Sequence, residues 1–489
     1  MSTSIDEIIR NLESIHNTLD TFEFREIQHN ATPTELVALN EAFFGFFFLL
    51  DSSVSAQGLG SGLDSKEQSA WNLSRKQMAD QQRVIETFLS TNGTSTLNAP
   101  GIAALAWEGE KVIIVRDCHI SVIHSLQFSG ASPHWVVPPL SDRWGITFPI
   151  TPDELDDVLA EHQDSKGVVV TSPSYFGLTS DIEGLSSVCR KWKVPLYVDS
   201  AWGPQYFATS SLGFPPAPQS QGADVTTSSV HKMATCLSQG ALLNFMNQKL
   251  VNRFSELFRI FVSSSPSYPI AISVEHAINE LAERGTELWT GAVEITKWLR
   301  DQIRKIDGFD VLDNEIVDGI RVKHLDPVRL AIRVTRRGIT GFEAARILKE
   351  QADIDVELAT RDLLLFLFAP PDSKQDAEYL LSALKKLPYS TPLGKSRLTA
   401  TFPEDRPLTP RQVLSLRKRR RVPLSRASGK ICAEVLASYP PGIPCCVPGE
   451  RLTEELLTYL EHIFQDGAHI TRTFPEDNGQ FTSVVVLDE

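Results

Sequence analysis

The segment Leu196-Tyr197-Val198-Asp199-Ser200-Ala201-Trp202-Gly203 places an acidic residue and several small residues directly after a short apolar run. A short apolar run with this kind of ending is typical of a buried strand. In an open parallel sheet, functional groups gather where the strands end at their carboxyl edge. The segment therefore predicts a buried parallel strand over residues 196–198 and a functional site beside Asp199.

The surrounding sequence repeats the same pattern from about residue 85 to residue 250. Short β-branched runs alternate there with amphipathic stretches, as in strand–helix–strand units. The predicted strands are residues 112–115, 135–137, 167–171, 196–198 and 241–245. Helices are predicted over residues 152–162, 182–192 and about 274–306, and residues 214–222 are predicted to form a surface loop. The pattern predicts an α/β fold with a mostly parallel, doubly wound sheet.

Three regions are expected along the chain of 489 residues. Residues 1–75 are predicted to form an N-terminal helical segment and loop. Residues 76–306 form the large domain with the parallel sheet, and residues 307–489 mix shorter strands and helices in a smaller α+β domain. The length corresponds to about three domain-sized units.

Composition and charge exclude several classes of protein. Hydrophobic residues make up 42% and charged residues 22% of the chain, which excludes a disordered protein. The net charge of −14 argues against nucleic acid and anionic membranes as partners. The most apolar run, residues 42–50, is less than half of the roughly 20 residues that a membrane helix needs. Six scattered cysteines without a CxxC pair, and no secretion signal, indicate reduced thiols and a cytoplasmic location. No metal-ligand spacing is found.

Three further segments are rich in polar residues. Arg116-Asp117-Cys118-His119-Ile120-Ser121 follows the strand at 112–115, and Asn92-Gly93-Thr94-Ser95-Thr96 precedes a predicted helix. Ser228-Ser229-Val230-His231-Lys232 comes downstream of a Gly-Ala-Asp turn. Each alone is more often a cap, a turn or a solvated surface than a site. Their joint occurrence in one α/β domain favours a common site.

Pyridoxal 5′-phosphate (PLP) is the cofactor that needs this combination, because it requires an amine, a carboxylate, phosphate ligands and flat packing partners. Lys232 is the candidate amine for the covalent link to the cofactor. Asp199 is expected to pair with the protonated ring nitrogen. Ala201 is small enough to pack under one face of the ring, and His119 is expected to stack on the other.

The phosphate of the cofactor is expected at the start of a helix. Gly93, Thr94 and Ser95 open that helix, so their N–H groups and hydroxyls can bind a dianion in the field of the helix dipole. Ser229 and His231 are the other candidate phosphate ligands.

These segments together resemble the PLP-dependent Orn/Lys/Arg decarboxylase family, of fold-type I in the aspartate aminotransferase superfamily. The resemblance covers about residues 85–465 and includes Ser265-Pro266-Ser267-Tyr268-Pro269, Tyr439-Pro440-Pro441-Gly442-Ile443-Pro444 and Pro448-Gly449-Glu450. Two departures stand out. Residues 1–75 lack the Pro-Gly-His-Lys segment common in the family, and Val230 replaces the usual Thr.

The resemblance implies a role for each matching residue. Lys232 would carry the cofactor, Asp199 would hold the ring nitrogen, His119 would stack on the ring, and Ser95, Ser229 and His231 would bind the phosphate. Trp202, which belongs to the matching Asp-Ser-Ala-Trp segment, is included among the cofactor-binding residues. The resemblance also implies a homodimer or larger homo-oligomer, with Ser264 or Ser265 reaching the partner's phosphate, and it assigns Glu434 to the substrate site.

The function expected first is decarboxylation of a basic L-amino acid (arginine, lysine or ornithine) to its amine, as in polyamine biosynthesis. Two alternatives stay open at this point. The missing N-terminal segment favours a related PLP enzyme that oxidises or transaminates its substrate at Cα. A non-catalytic regulatory paralogue is the other, although the presence of Lys232, Asp199 and His119 argues against it.

Overall fold

The computed structural model describes residues 65–263, 265–394, 402–416, 418–439, 443–476 and 479–488. The expectations for the N-terminal segment up to residue 64 and for Ser264 lie outside these residues. The chain divides into two compact units, Met1–Asn72 and Leu73–Glu489. The sheets and the cleft described below belong to the second unit.

The large domain is built on eight short strands, of which seven form one sheet. The strands are β1 (Glu86–Ser90), β2 (Lys111–Val115), β3 (Ser132–Val136), β4 (Val168–Thr171), β5 (Leu178–Thr179), β6 (Leu196–Asp199), β7 (Val225–Ser228) and β8 (Ala241–Phe245). The sheet has the order β1-β8-β7-β6-β4-β2-β3. Only β8 runs against the other six strands, because both of its neighbours pair with it antiparallel. The mostly parallel sheet is therefore confirmed.

Strands β1 and β7 are not among the predicted strands. Both are rich in hydroxyl side chains, with the sequences Glu-Thr-Phe-Leu-Ser and Val-Thr-Thr-Ser. All four residues of β7 are nevertheless buried between β6 and β8. Tertiary packing thus overrides the weak apolar signal of these two strands.

Helices cover both faces of this sheet. They are α1 (Ser65–Gln82), α2 (Gly93–Leu105), α3 (Ile120–Ser129), α4 (Pro152–Glu161), α5 (Ile182–Trp192), α6 (Val230–Met233), α7 (Gln248–Phe261) and α8 (Tyr268–Ile303). In β2, Val112 and Ile114 pack with α2, α3 and α7, whereas Ile113 and Val115 pack with α4 and α5. The period-2 alternation of side chains thus gives the strand two buried faces.

Two predictions about segments need correction. Helix α8 begins at Tyr268 and not near residue 274, because Pro269 is accommodated in its first turn. Residues 214–222 are not a surface loop. Phe214 is buried, its ring centroid lies 5.5 Å from that of Trp289, and a short 3₁₀ helix covers Pro218–Gln221.

The C-terminal part is smaller and mixed. Its strands are β9 (Asp310–Val311), β10 (His324–Leu325), β11 (Arg329–Arg333), β12 (Leu358–Ala359), β13 (Leu363–Leu367), β14 (Arg419–Pro423), β15 (Leu436–Tyr439), β16 (Ile443–Cys446), β17 (His469–Arg472) and β18 (Ser483–Leu487). Its helices are α9 (Gly341–Ala352), α10 (Lys374–Lys386), α11 (Pro410–Ser415) and α12 (Glu454–Gln465). The pairs within its sheets are antiparallel, which confirms the α+β character. Within the described residues, no helix combines the length and apolarity needed to cross a membrane.

Candidate active site

A cleft of about 790 Å³ lies at the carboxyl edge of the parallel sheet. Its walls include side chains that follow β2, β4, β6 and β7, together with the start of α2 and parts of the C-terminal sheets. All ten residues predicted to bind the cofactor line this one cleft: Gly93, Thr94, Ser95, His119, Asp199, Ala201, Trp202, Ser229, His231 and Lys232.

Asp199 ends β6 and is buried, but its carboxylate receives only neutral donors from the part of the chain that the structure describes. Asn98 Nδ2 donates to Oδ2 at 3.1 Å, and the backbone N–H of Ala201 donates to Oδ1 at 3.1 Å. The Asn98 side chain is itself held by the hydroxyl of Tyr197, which donates to Asn98 Oδ1 at 2.6 Å. A buried carboxylate without a cationic partner is expensive. This arrangement suits a carboxylate that has to pair with a cation from outside the chain.

His119 is joined to Asp199 through a chain of hydrogen bonds. Asn98 Nδ2 also donates to Ser121 Oγ at 2.8 Å, so the Ser121 hydroxyl is left to donate to His119 Nδ1 at 2.8 Å. The N–H of Ser121 donates to the same nitrogen at 3.2 Å, which makes His119 the N-cap of α3. Burial lowers the pKa of His119 despite the opposing charge of Asp199. The ring is thus held neutral, with Nε2 as its N–H group.

Lys232 lies in the short helix α6, just after β7. Its Nζ is 4.3 Å from the ring centroid of Trp202. Burial is the main cause that lowers the pKa of Lys232, and the charge of Arg329 adds to it, whereas the charge of Asp199 opposes it. A lowered pKa increases the neutral fraction of the amine, which is the form that attacks a carbonyl carbon.

The far end of the cleft has the properties of an anion site. Gly93 opens the 13-residue helix α2 with a φ of 76°, and its own N–H donates to the carbonyl of Gln239 at 2.7 Å. Among the described residues no side chain caps the N–H groups that follow, those of Thr94 and Ser95. Thr94 Oγ1 and Ser229 Oγ lie 2.7 Å apart and share a hydrogen bond. His231 Nδ1 donates to the carbonyl of Gly240 at 2.9 Å. An amine, a carboxylate and an uncapped helix start in one cleft fit PLP, so the residues present agree with the cofactor that the sequence predicts.

Several residues of the site were not assigned from the sequence. Asn98 and Ser121 connect Asp199 to His119, and an asparagine in the otherwise apolar stretch of α2 was a usable signal. Tyr175 and Glu357 also line the cleft, and they are hydrogen-bonded to each other across 182 positions of the chain. Arg329 stacks on Trp202, with its guanidinium carbon 4.1 Å from the ring centroid. No local sequence pattern identifies Tyr175, Glu357 and Arg329 as residues of the site.

Glu434 is not brought to the cleft. It is buried, and its carboxylate forms an ion pair with Arg472 at 2.7 Å. The N–H groups of Val485 and Phe474 also donate to it. Glu434 is thus engaged within the C-terminal part and does not line the cleft, and its assignment to the substrate site stays a prediction. Ser265, which is expected to reach a partner's phosphate, does not line this chain's own cleft, and that expectation stays a prediction.

Comparisons with known proteins agree with this geometry. The family models for the major domain and the C-terminal domain of Orn/Lys/Arg decarboxylases match residues 34–376 and 401–475. An arginine decarboxylase of Bacillus subtilis (strain 168) is 33% identical over 381 residues, which is 76% of this chain and 77% of the relative. An arginine decarboxylase of Halalkalibacterium halodurans is 32% identical over 417 residues, 82% of each chain.

A solved structure supports the same fold. The constitutive lysine decarboxylase of E. coli superposes with a TM-score of 0.74 at 23% identity, over 99% of this chain and 82% of that one. The major-domain model alone matches well over half of the chain, which confirms the resemblance drawn from the sequence. This chain therefore belongs to the Orn/Lys/Arg decarboxylase family of PLP-dependent carboxy-lyases, and it has their fold-type I architecture.

Proposed function

We propose that the protein decarboxylates a basic L-amino acid, namely arginine, lysine or ornithine, to the corresponding amine and CO₂. The observation that carries the proposal is the meeting of Lys232 and Asp199 in one cleft. Relatives that are named arginine decarboxylases support the choice of substrate class.

The residues that would hold PLP follow from the geometry. The Asp199 carboxylate would pair with the ring nitrogen, and Lys232 would provide the amine for the covalent link. The uncapped N–H groups at the start of α2 would bind the phosphate together with Ser95, Ser229 and His231. Ala201 and His119 would contact the two faces of the ring. When bound, PLP supplies an electron sink for the pair of electrons that departing CO₂ leaves behind.

The protein's own groups would carry the rest of the reaction. Asp199 keeps a negative charge in a buried place where it acts more strongly than in water. His119, neutral and with its Nδ1 accepting hydrogen bonds from Ser121, can donate a hydrogen bond through Nε2, and it can give up a proton there only after the ring has first been protonated at Nδ1. Lys232 can accept or return a proton at Nζ, because its pKa is lowered by burial. These two side chains are the candidate proton donors to the substrate carbon.

We further propose that the active form is a cytoplasmic homodimer or larger homo-oligomer, producing amines of the polyamine type. Large apolar side chains are exposed close to the cleft-lining residues 238 and 239 and on the neighbouring helices: Leu237 is 46%, Ile260 71% and Ile272 49% exposed. Light scattering during size-exclusion chromatography tests this proposal. A monomer at micromolar concentration would contradict it.

The test of activity is an amino-acid panel with products identified by mass. The purified protein is incubated with PLP and each of arginine, lysine and ornithine, under air and under argon. Release of CO₂ and the matching amine is expected, and it should vanish in Lys232→Ala. A keto acid or peroxide would favour transamination or oxidation at Cα, and no turnover of any basic amino acid would refute the proposal.

A further inference from the structure

A decarboxylase of basic amino acids has to hold a second positive charge at the end of the substrate side chain. A carboxylate in the cleft is the natural partner for that charge. Among the described residues, five carboxylates line the cleft: Asp117, Asp142, Asp199, Glu357 and Asp362. The five carboxylates differ in their hydrogen-bond and ion-pair partners and in their exposure, and these differences show which of them is available to a cationic substrate group.

Four of the five are poor candidates. Asp199 is the expected partner of the cofactor. Asp362 already forms an ion pair with Arg361 at 2.9 Å. Asp142 is exposed, so water and salt screen its charge. Asp117 accepts a hydrogen bond from Thr147 at 3.2 Å and lines a side pocket large enough for about one water, and burial raises its pKa to about 6. A carboxyl that is partly protonated near neutral pH is a weaker partner for a cation.

Glu357 is half-buried and has no ion-pair partner among the described residues. It comes directly before β12, where its backbone N–H donates to the carbonyl of Leu365 at 3.0 Å. Its Oε1 accepts a hydrogen bond from the hydroxyl of Tyr175 at 2.8 Å. Both ends of the residue are therefore held, and its negative charge lies in the cleft without an ion pair among the described residues.

Aromatic side chains connect Glu357 to the reactive lysine. The Tyr175 ring packs edge-on against Trp202, with the centroids 5.1 Å apart, and Lys232 Nζ lies 4.3 Å from the Trp202 centroid. The negative charge of Glu357 also acts on Lys232, whose pKa it raises against the effect of burial. An aliphatic stem can lie along such an aromatic wall while its charged end reaches a carboxylate.

We propose that Glu357, oriented by Tyr175, binds the cationic end of the substrate side chain and thereby selects basic over neutral amino acids. The inference rests on the proposed function and deepens it, because it assigns the residue that determines the substrate class. Glu357 lines the cleft, whereas Glu434, which the sequence assigned to the substrate site, does not.

The variant Glu357→Gln tests the inference, because the amide keeps an acceptor for Tyr175 and removes only the charge. For the preferred basic amino acid we expect kcat/KM to fall about 10- to 100-fold, mostly through KM, as for the loss of one hydrogen bond to a charged group. Norleucine has the lysine stem without its ammonium group. Its slow turnover should stay unchanged, so the preference for lysine over norleucine should shrink by the same factor.

Two matched variants complete the experiment. Asp117→Asn examines the competing carboxylate, and Glu343→Gln removes an exposed carboxylate on α9 as a control that should leave kinetics unchanged. The inference is overturned if Glu357→Gln affects lysine and norleucine equally, or if Asp117→Asn causes the larger selective rise in KM. The unfolding midpoint of each variant is measured alongside.

A negative result distinguishes the two proposals. If the wild type turns over no basic amino acid, the proposed function itself fails. If the wild type is active and the preference for lysine over norleucine persists in Glu357→Gln, only the assignment of Glu357 fails.

Discussion

Asp199 and Glu434 are both carboxylates buried in this chain, yet their surroundings are opposite. Asp199, at the edge of the parallel sheet, accepts hydrogen bonds from the neutral groups of Asn98 and Ala201. Glu434, in the C-terminal part, is paired with Arg472, whose side chain is only 3% exposed. A carboxylate that already has its cation stabilises the fold, whereas one surrounded by neutral donors is available to a ligand. The partners, and not the residue type, separate the two roles.

The largest effect is expected from breaking the Glu434 ion pair. In Glu434→Gln the buried guanidinium of Arg472 loses the closer of its two carboxylate partners and keeps only Glu476 at 3.5 Å, which should lower the free energy of unfolding by about 3 kcal/mol. The turnover number of the protein that remains folded should stay unchanged. Urea unfolding and kinetics on the same preparation check both statements. The double variant Glu434→Gln, Arg472→Met should recover part of the loss. A change in KM without a loss of stability would contradict a purely structural role and support the predicted place of Glu434 in the substrate site.

Asp199→Asn should lower activity and not stability, which is the reverse of the result expected for Glu434→Gln. Without the negative charge at the ring nitrogen, kcat should fall about 10²- to 10³-fold, which is the usual effect of removing one preorganised electrostatic contact. The unfolding midpoint should change little or rise, because a buried carboxylate without a cation is replaced by a neutral group. Stopped-assay kinetics and a urea curve are sufficient. If kcat falls by less than tenfold, the role given to Asp199 is contradicted.

Asp117 is a third carboxylate to compare with Asp199 and Glu434. One of its oxygens accepts a hydrogen bond from Thr147, and the other has no partner among the described residues. Burial raises its pKa from 3.8 to about 6. The stability that the protonated form contributes is therefore present below about pH 4 and lost as the pH rises through 6.

Asp117→Asn, which is neutral at every pH, should raise the free energy of unfolding at pH 8 by up to about 3 kcal/mol. It should also flatten the dependence of stability on pH between 4 and 6. Urea unfolding at pH 4, 6 and 8 measures this effect. Equal stability of variant and wild type at pH 8 would show that the carboxylate is not strained by burial.

The smallest effect is expected at Asn98, which positions both Asp199 and Ser121. In Asn98→Leu, Ser121 loses one donor and His119 loses part of its orientation, so kcat should fall about tenfold, in line with the loss of a hydrogen bond worth roughly 1.4 kcal/mol. Thr96→Ala, a change at a half-buried position on the same helix whose hydroxyl donates to the carbonyl of Asn92, is the matched control and should leave kcat unchanged. If both variants behave alike, the chain of hydrogen bonds from Asp199 to His119 does not position the ring.

Much of the fold and most of the cleft could be predicted because they depend on local pattern. The buried strands β2, β4 and β6 are marked by apolar runs, and parallel pairing brings the residues at their ends to one edge. Strands β1 and β7 have hydroxyl-rich sequences, and only their neighbours in the sheet make them strands. The burial of Phe214 against Trp289 likewise depends on a contact far along the chain.

Asp199 and His119 could be predicted from the sequence because they end or closely follow β6 and β2, whose positions the hydrophobic pattern sets. Lys232 follows β7, which that pattern did not mark, and it was predicted from its own Ser-Val-His-Lys segment. The sequence did not show which partner each carboxylate has in the folded protein. Whether Glu434 meets Arg472, and whether Glu357 meets Tyr175, depends on how distant segments pack, since a charged side chain takes its function from the group that packing places opposite it.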